Sequence, residues 1–206
     1  MRRRIRHHVN PLKLGFVAGL APSLQLREGR PLEVELGCAD AAFLFERAAE
    51  DPTPLYVGVE IRAEMVRRVN ERAPRPDAAP VCAVLGNINV DLPRLFRPAS
   101  VARFYLNFPD PWFKKRHHKR RVLNAELAAS LAAGLVPGGE VFFQTDVFDL
   151  ALDAMAVLEG EPAFANVLRP WAFERVSPFT AQSRRERQSL RRGRRVWRLR
   201  YRRRDP

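Results

Sequence analysis

One stretch constrains this chain more than any other. It runs Phe104-Tyr105-Leu106-Asn107-Phe108-Pro109-Asp110-Pro111-Trp112-Phe113 and continues from Lys114 to Arg121. An apolar, strand-like run ends in a carboxylate held between two prolines. After the aromatic pair come eight residues that are all Lys, Arg or His. Proline fixes φ and removes a backbone donor, so the segment after Leu106 reads as a stiff loop rather than a helix. In α/β sheets, chemistry sits just past the carboxyl ends of strands. A rigid acid there, tethered to a polycation, implies a polyanionic substrate brought to a reactive centre.

The rest of the chain supplies the strands that such a loop needs. Leu32–Leu36 reads as the first core strand, followed by the small-residue turn Gly37-Cys38-Ala39-Asp40-Ala41 and a helix to about Asp51. Strand, tight turn and helix form the nucleoside-binding opening of a Rossmann-like unit. Strand two is Leu55–Glu60, and Ile61, Met65, Val66 and Val69 mark a helix face behind it. Strand three is Val81–Leu85, strand four Val101–Leu106 and strand five Val141–Gln144. A Leu123, Leu127, Leu131 stripe predicts a helix between the last two. A helix through Leu150, Ala154, Val157 and Leu158 follows, then strand six over Phe164–Phe173. Ser177 to Gly193 reads as a loop and short helix. From Arg195 to Tyr201 the residues alternate with period two, as in an antiparallel strand at or near a sheet edge. The pattern is α/β: a doubly wound, mostly parallel Rossmann-like sheet with an antiparallel C-terminal strand.

Length and charge narrow the function. The chain has 206 residues, enough for one domain with its own core. No apolar run approaches the ~18 residues of a membrane span. No secretory signal is evident. Two cysteines, Cys38 and Cys82, make no disulfide scaffold and fit a reduced, cytoplasmic setting. The net charge is +13, and it is concentrated. Residues 1–6, 114–121 and 184–204 hold four, six and twelve basic residues, 22 of the 36 in the chain, with Glu186 as their one acid. The remainder has 14 basic and 22 acidic residues, a net −8. An acidic body with three basic patches fits a phosphate backbone, bound partly through counterion release. Residues 1–30 read as a basic N-terminal arm and 31–206 as a single domain.

Five polar side chains stand at strand ends: Glu35, Glu60, Asn87, Asp110 and Asp146. Each alone is equally well a helix cap or a solvated acid. Together they describe an acidic site along one sheet edge, suited to a cationic ligand or to metal ions. Glu60 could accept two hydrogen bonds from ribose hydroxyls. His7-His8 and His117-His118 are adjacent pairs without cysteine partners, so no zinc motif is present and no metal is expected. A dinucleotide turn needs G-x-G-x-x-G, and the turn after strand one offers Gly37 alone.

Leu32–Gly37, Gly58–Arg62 and above all Asn107–Arg121 resemble the bacterial tRNA (guanine-N7-)-methyltransferase family, which uses S-adenosylmethionine. Gly139–Asp146 is similar to that family's fifth-strand segment, and Ser183-Arg184-Arg185-Glu186 to its Thr-Lys-Phe-Glu motif. The resemblance covers residues 31–201. It implies a methyltransferase sheet, S-adenosylmethionine as methyl donor and a guanosine in the tRNA variable loop as target. It implies that Glu35, Gly37, Glu60, Asn87 and Asp110 line the donor pocket, with Asp110 in the catalytic role. Lys114, Asp146, Ser183, Arg184, Arg185 and Glu186 would contact the guanosine. The chain departs from the family where Ala39 and Ala41 replace glycines, Asn87 a common Asp, and Phe113 a usual Pro. Ser183, Arg184 and Arg185 depart from its Thr, Lys and Phe.

The resemblance implies a cytoplasmic enzyme whose partner is tRNA, with no membrane, no obligatory protein partner and an open oligomeric state. The two lost glycines motivate an alternative, a non-catalytic RNA-binding protein retaining the fold. A methyltransferase for rRNA or for a small molecule is a third reading.

Overall fold

A computed structural model describes residues 29–72 and 80–205 of the chain. Seven strands and six helices are seen there: β1 (Leu32–Leu36), α1 (Ala42–Glu50), β2 (Leu55–Glu60), α2 (Ala63–Asn70), β3 (Val81–Leu85), α3 (Ile88–Leu95), β4 (Val101–Asn107), α4 (Ala125–Gly134), β5 (Leu135–Thr145), α5 (Phe148–Glu159), β6 (Phe164–Asn166), α6 (Arg184–Arg191) and β7 (Trp197–Arg203). The sheet order is β3-β2-β1-β4-β5-β7-β6. Strands β1 to β5 pair in parallel, and β7 runs antiparallel to both β5 and β6. The doubly wound, mostly parallel sheet is therefore as expected. Its antiparallel strand lies one place in from the edge, which β6 occupies. Of the basic arm expected over residues 1–30, only Gly29 and Arg30 fall within the described residues. Arg30 Nε donates to the Thr53 carbonyl (2.7 Å).

Strand β1 is buried along its whole length because β2 and β4 flank it on either side. Its two faces differ in chemistry, as period two requires. Leu32, Val34 and Leu36 join Phe104, Leu106, Val141, Phe143 and Leu199 in an apolar core. Glu33 and Glu35 point the other way, in register with Arg103 and Tyr105 of β4. The two β1 acids are set in a second apolar cluster that includes Phe43, Leu44, Tyr56 and Phe142. Glu33 receives hydrogen bonds from Tyr105 Oη, Arg47 and Arg103. Phe179 lies over the Arg47 and Arg103 guanidinium groups and meets the Tyr105 ring edge-on (5.5 Å).

Several elements differ from the sequence pattern, β7 by a shift of two residues to Trp197–Arg203. Strand β5 begins six residues earlier than expected, because Leu135 already pairs with Val101 before an irregularity carries the chain to Glu140. Strand β6 is shorter. Asn166 turns the chain away, accepting from Leu168 N (3.0 Å) and donating to the Ala172 carbonyl (3.0 Å). The chain rejoins β7 only at a Glu174–Arg198 bridge. The polycation is not all loop, since Lys115–Arg120 forms a 3-10 helix.

The turn after β1 carries local strain. Ala39 and Ala41 adopt φ of 51° and 53°, the left-handed region where L-residues pay a steric cost. Ala41 is fully buried, so its methyl also packs, whereas Ala39 is half-buried. Ala39→Gly is expected to stabilise the fold by about 1 kcal/mol, seen as a Tm rise of roughly 2–4 °C in a thermal melt. Ala41→Gly gains less, because it also loses a buried methyl. A lower Tm for Ala39→Gly would mean that the turn is not held left-handed in solution.

Candidate active site

The order of the sheet reverses between β1 and β4, and a cleft of about 370 Å³ opens at their carboxyl ends. This is the switch point where α/β sheets bind ligands. Glu35, Gly37, Glu60, Asn87, Asp110, Ser183, Arg184 and Arg185 all line it. Lys114, Asp146 and Glu186 do not.

Glu35 and Glu60 are the buried acids of the cleft, and their partners differ. Glu35 Oε1 accepts from Asn107 Nδ2 (2.8 Å), while Oε2 is buried with no hydrogen-bond partner among the described residues. Burial pushes its pKa up to about 8, the Asn107 hydrogen bond opposes this, and the neighbouring Asp40 and Glu60 charges add to the rise. Glu60 is the opposite case. Oε1 accepts from Arg62 N and Nε (3.0 and 2.8 Å), and Oε2 from Ala39 N and Arg62 Nη2 (both 2.9 Å). Its four lone-pair sites are taken. Asn87 precedes α3 but makes no side-chain cap, and its backbone N–H donates to Asp91 (2.8 Å).

The Asp110 loop is rigid for reasons that only the structure reveals. Phe108 and Trp112, on either side of Pro109-Asp110-Pro111, have φ of 50° and 45°. Phe108 N donates to the Gln144 carbonyl (2.8 Å). Arg121 is buried, donates to the Pro111 carbonyl (3.0 Å) and pairs with Asp149 (2.7 Å) and Asp153. The last residue of the polycation is thus an internal anchor rather than a solvated or phosphate-facing charge. Lys114, Arg116 and Lys119 remain exposed. Trp112 lines the cleft, with the Arg120 guanidinium 5.1 Å from its ring centre.

Helix α6 closes the other side. Ser183 caps it, accepting from Glu186 N (3.1 Å). Arg184 reaches Asp40 (2.6 Å) and Arg185 reaches Asp146 (2.9 Å). The approach to the helix is pinned to α1. Glu50 accepts from Thr180 N and Ala181 N, and Glu46 from Gln182 N. Glu186 is fully buried. It accepts from Gln144 Nε2 (3.0 Å) and Arg198 Nη2 (2.7 Å). Gln144 Nε2 also donates to Asn107 Oδ1 (2.9 Å). An unbroken chain therefore runs Glu35–Asn107–Gln144–Glu186–Arg198 across four strands. Sequence reasoning missed its middle. The available signal was an amide, Gln144, closing an apolar strand.

Asp146 is held by α6 and the loop after it. Arg185, Ser189 and Arg194 all donate to Oδ2. Oδ1 accepts no hydrogen bond among the described residues. Burial raises the Asp146 pKa, but the Ser189 hydrogen bond and the two arginines outweigh it and lower the net value. Among the described residues no cluster of His, Cys, Asp or Glu could hold a metal ion, and no helix is long and apolar enough to cross a membrane.

Residues 29–199 match a family described as a putative methyltransferase. The tRNA (guanine-N(7)-)-methyltransferase of Thermosynechococcus vestitus is 36% identical, over 96% of this chain and 94% of its own. The namesake from Microcystis aeruginosa is 34% identical over 97% of both. The chain belongs to the tRNA (guanine-N7-)-methyltransferase family. Solved structures agree on the fold. A 16S rRNA (adenine(1408)-N(1))-methyltransferase from Catenulisporales acidiphilia, solved with SAM, superposes with a TM-score of 0.61 at 18% identity, covering 94% of this chain and 98% of that one. The 16S rRNA methyltransferase KamB gives 0.62 at 12%, covering 88% and 92%. The family is S-adenosylmethionine-dependent, and the cleft fits a cationic donor. An unpartnered carboxyl oxygen on Glu35 and three further acids, Asp40, Glu60 and Asp110, line it. Gly37, at φ 80°, leaves the backbone beside them open, with only Ile88 Cδ1 (3.9 Å) near the place of a Cβ.

The elevated Glu35 pKa has a sign that can be checked. The folded protein holds this proton between pH 4.5, the ordinary value, and about 8, where the unfolded chain has released it. Stability from Glu35 therefore falls as pH rises through that window. Comparing thermal melts, Glu35→Gln should lose less Tm than the wild type between pH of about 5 and 8.5. Parallel curves would mean that Glu35 is already ionised in the free protein.

Proposed function

We propose that the protein transfers a methyl group from S-adenosylmethionine to N7 of a guanosine in the variable loop of tRNA. The observation that carries this is the cleft at the switch point, lined by Glu35, Asp40, Glu60 and Asp110 together with Arg62, Arg120, Arg184 and Arg185, with Asp110 fixed between prolines just ahead of exposed Lys114, Arg116 and Lys119. The relatives named as tRNA (guanine-N(7)-)-methyltransferases support the base and the substrate. The catalytic unit is residues 31–206 as one cytoplasmic methyltransferase domain, with residues 1–30 as its basic arm.

Guanine N7 carries an in-plane lone pair, so attack on an activated methyl needs no general base. The product base is cationic. The protein's task is positioning and a matched electrostatic field. When bound, S-adenosylmethionine supplies the methyl on a positively charged sulfur. Glu35, Gly37, Glu60, Asn87 and Asp110 are the residues that hold it. Glu60, whose oxygens now accept from Arg62 and Ala39 N, would be the acceptor for ribose hydroxyls. Asp110 favours positive charge near the reacting atoms. Its rigid loop keeps the carboxylate in place without reorganisation. Asp146, pinned through Oδ2, leaves Oδ1 to accept from the guanine N1–H and amino edge, so N7 stays open. Arg184, Arg185 and the Ser183 cap set the position of the base. Glu186 acts from inside the protein by fixing α6. The exposed bases of the 114–121 segment and of α6 hold the phosphates.

Purified protein given labelled S-adenosylmethionine and bulk tRNA should place label in 7-methylguanosine of the variable loop, identified by nuclease mapping and nucleoside mass spectrometry. Asp110→Ala should reduce transfer by about 10²-fold or more while tRNA affinity changes less than about twofold. Label in another nucleoside would overturn the assignment of the base. Equal loss of transfer and binding would make Asp110 structural. The left-handed alanines after β1 favour one other reading, an RNA-binding protein without transfer. It predicts bound tRNA and no label.

A further inference from the structure

Beyond the cleft, the same sheet edge carries a second feature. Strand β5 ends at Thr145, paired in register with Trp197 of β7. Three residues on, Phe148 opens α5 with 47% of its surface exposed. Its ring centre lies 4.5 Å from that of Trp197, and Phe173 lies 4.9 Å from Trp197 on another side. The Arg195 guanidinium sits 3.9 Å from the Trp197 ring centre. A guanidinium stacked on indole, with a half-exposed phenyl beside it, is an arrangement on which a nucleobase can stack.

The charges around it select the ligand. Arg191, Arg192 and Arg195 are exposed and form no ion pair among the described residues. Asp149, next to Phe148, is engaged by Arg121 (2.7 Å), and Asp146 by Arg185 and Arg194. Glu174, which follows Phe173, is paired with Arg200 (3.1 Å), so the acids adjoining Phe148 and Phe173 in the chain are engaged, while Arg191, Arg192 and Arg195 are not. An apolar partner surface gains nothing from that surplus of positive charge, whereas a nucleic acid strand matches both the rings and the charge.

We propose that Phe148, Trp197 and Arg195 form a stacking platform for an unpaired nucleobase of the bound RNA, one strand along the edge from the Asp110 loop. The platform takes a base other than the target: Asp110, Arg184 and Arg185 line the cleft, none of Phe148, Trp197 and Arg195 does, and nothing there among the described residues reads a base edge. It grips by stacking and so tolerates any base identity. The inference rests on tRNA being the substrate.

The test measures tRNA affinity at fixed salt for wild type, Phe148→Leu, Phe148→Tyr and Arg195→Ala, with S-adenosylmethionine affinity and thermal melts alongside. Phe148→Leu keeps the bulk and loses the ring. It should weaken tRNA binding about tenfold. Phe148→Tyr should bind within about twofold of wild type, and Arg195→Ala should weaken binding as well. Donor affinity should be unchanged in all three. Phe148→Leu binding tRNA like the wild type, in a protein that does methylate it, would overturn the platform and leave the function standing. Equal losses in the Tyr and Leu variants would also overturn it, as would a Phe148→Leu effect confined to self-association. A wild type that binds no tRNA would remove platform and function together.

Discussion

Glu35 is the constraint around which the rest of the site is arranged. It sits on an inner strand, β1, flanked on both sides, with one oxygen satisfied by Asn107 and the other unpartnered. Burying a carboxyl group in this way costs free energy unless something compensates. The fold supplies half of the compensation through the chain Asn107–Gln144–Glu186–Arg198. Its other oxygen stays unpartnered at the wall of the cleft, where the proposed cationic donor would offset the remaining cost.

The same chain ties two parts of the site together. Its far end is the Glu186–Arg198 pair, both members buried, and breaking such a pair typically costs 3–5 kcal/mol. Glu186 is the third residue of α6, whose flanking Arg184 and Arg185 reach Asp40 beside the donor cleft and Asp146 beyond β5. Helix α6, whose first residues are proposed to contact the base, is therefore held by a chain of side chains that begins at Glu35. A partly satisfied polar network is costly, so the residues along it are held to a narrow geometry. Strain adds to this. Ala39, Ala41, Phe108 and Trp112 all take left-handed backbone conformations around the cleft. Such outliers persist only where their surroundings over-determine them.

Much of this was readable from sequence because the sheet obeys period two and its chemistry gathers at strand ends. Glu35, Glu60, Asn87 and Asp110 could be placed together before any coordinates, since each ends or follows an apolar run. Arg121 could not be read, because its burial depends on two acids of α5 that lie 28 and 32 residues away. The family resemblance assigns Glu186 to the guanosine, and its burial is not legible in an arginine-rich segment. Only the antiparallel return of β7 places Arg198 against it. Strand β6 ended early at Asn166, whose side-chain turn leads into a segment that also holds Arg169 and Pro170. Local pattern located the elements and the acids. The pairings that decide which acids are buried are long-range.

The most direct measurement is calorimetric titration of S-adenosylmethionine at pH 7, in buffers of different ionisation enthalpy, for wild type and Glu35→Gln. If a buried, protonated Glu35 ionises to meet a cationic donor, the wild type releases close to one proton per donor bound, and Glu35→Gln releases none. Equal proton release from the two proteins would contradict the account, because Glu35 would then not be the group that the donor completes.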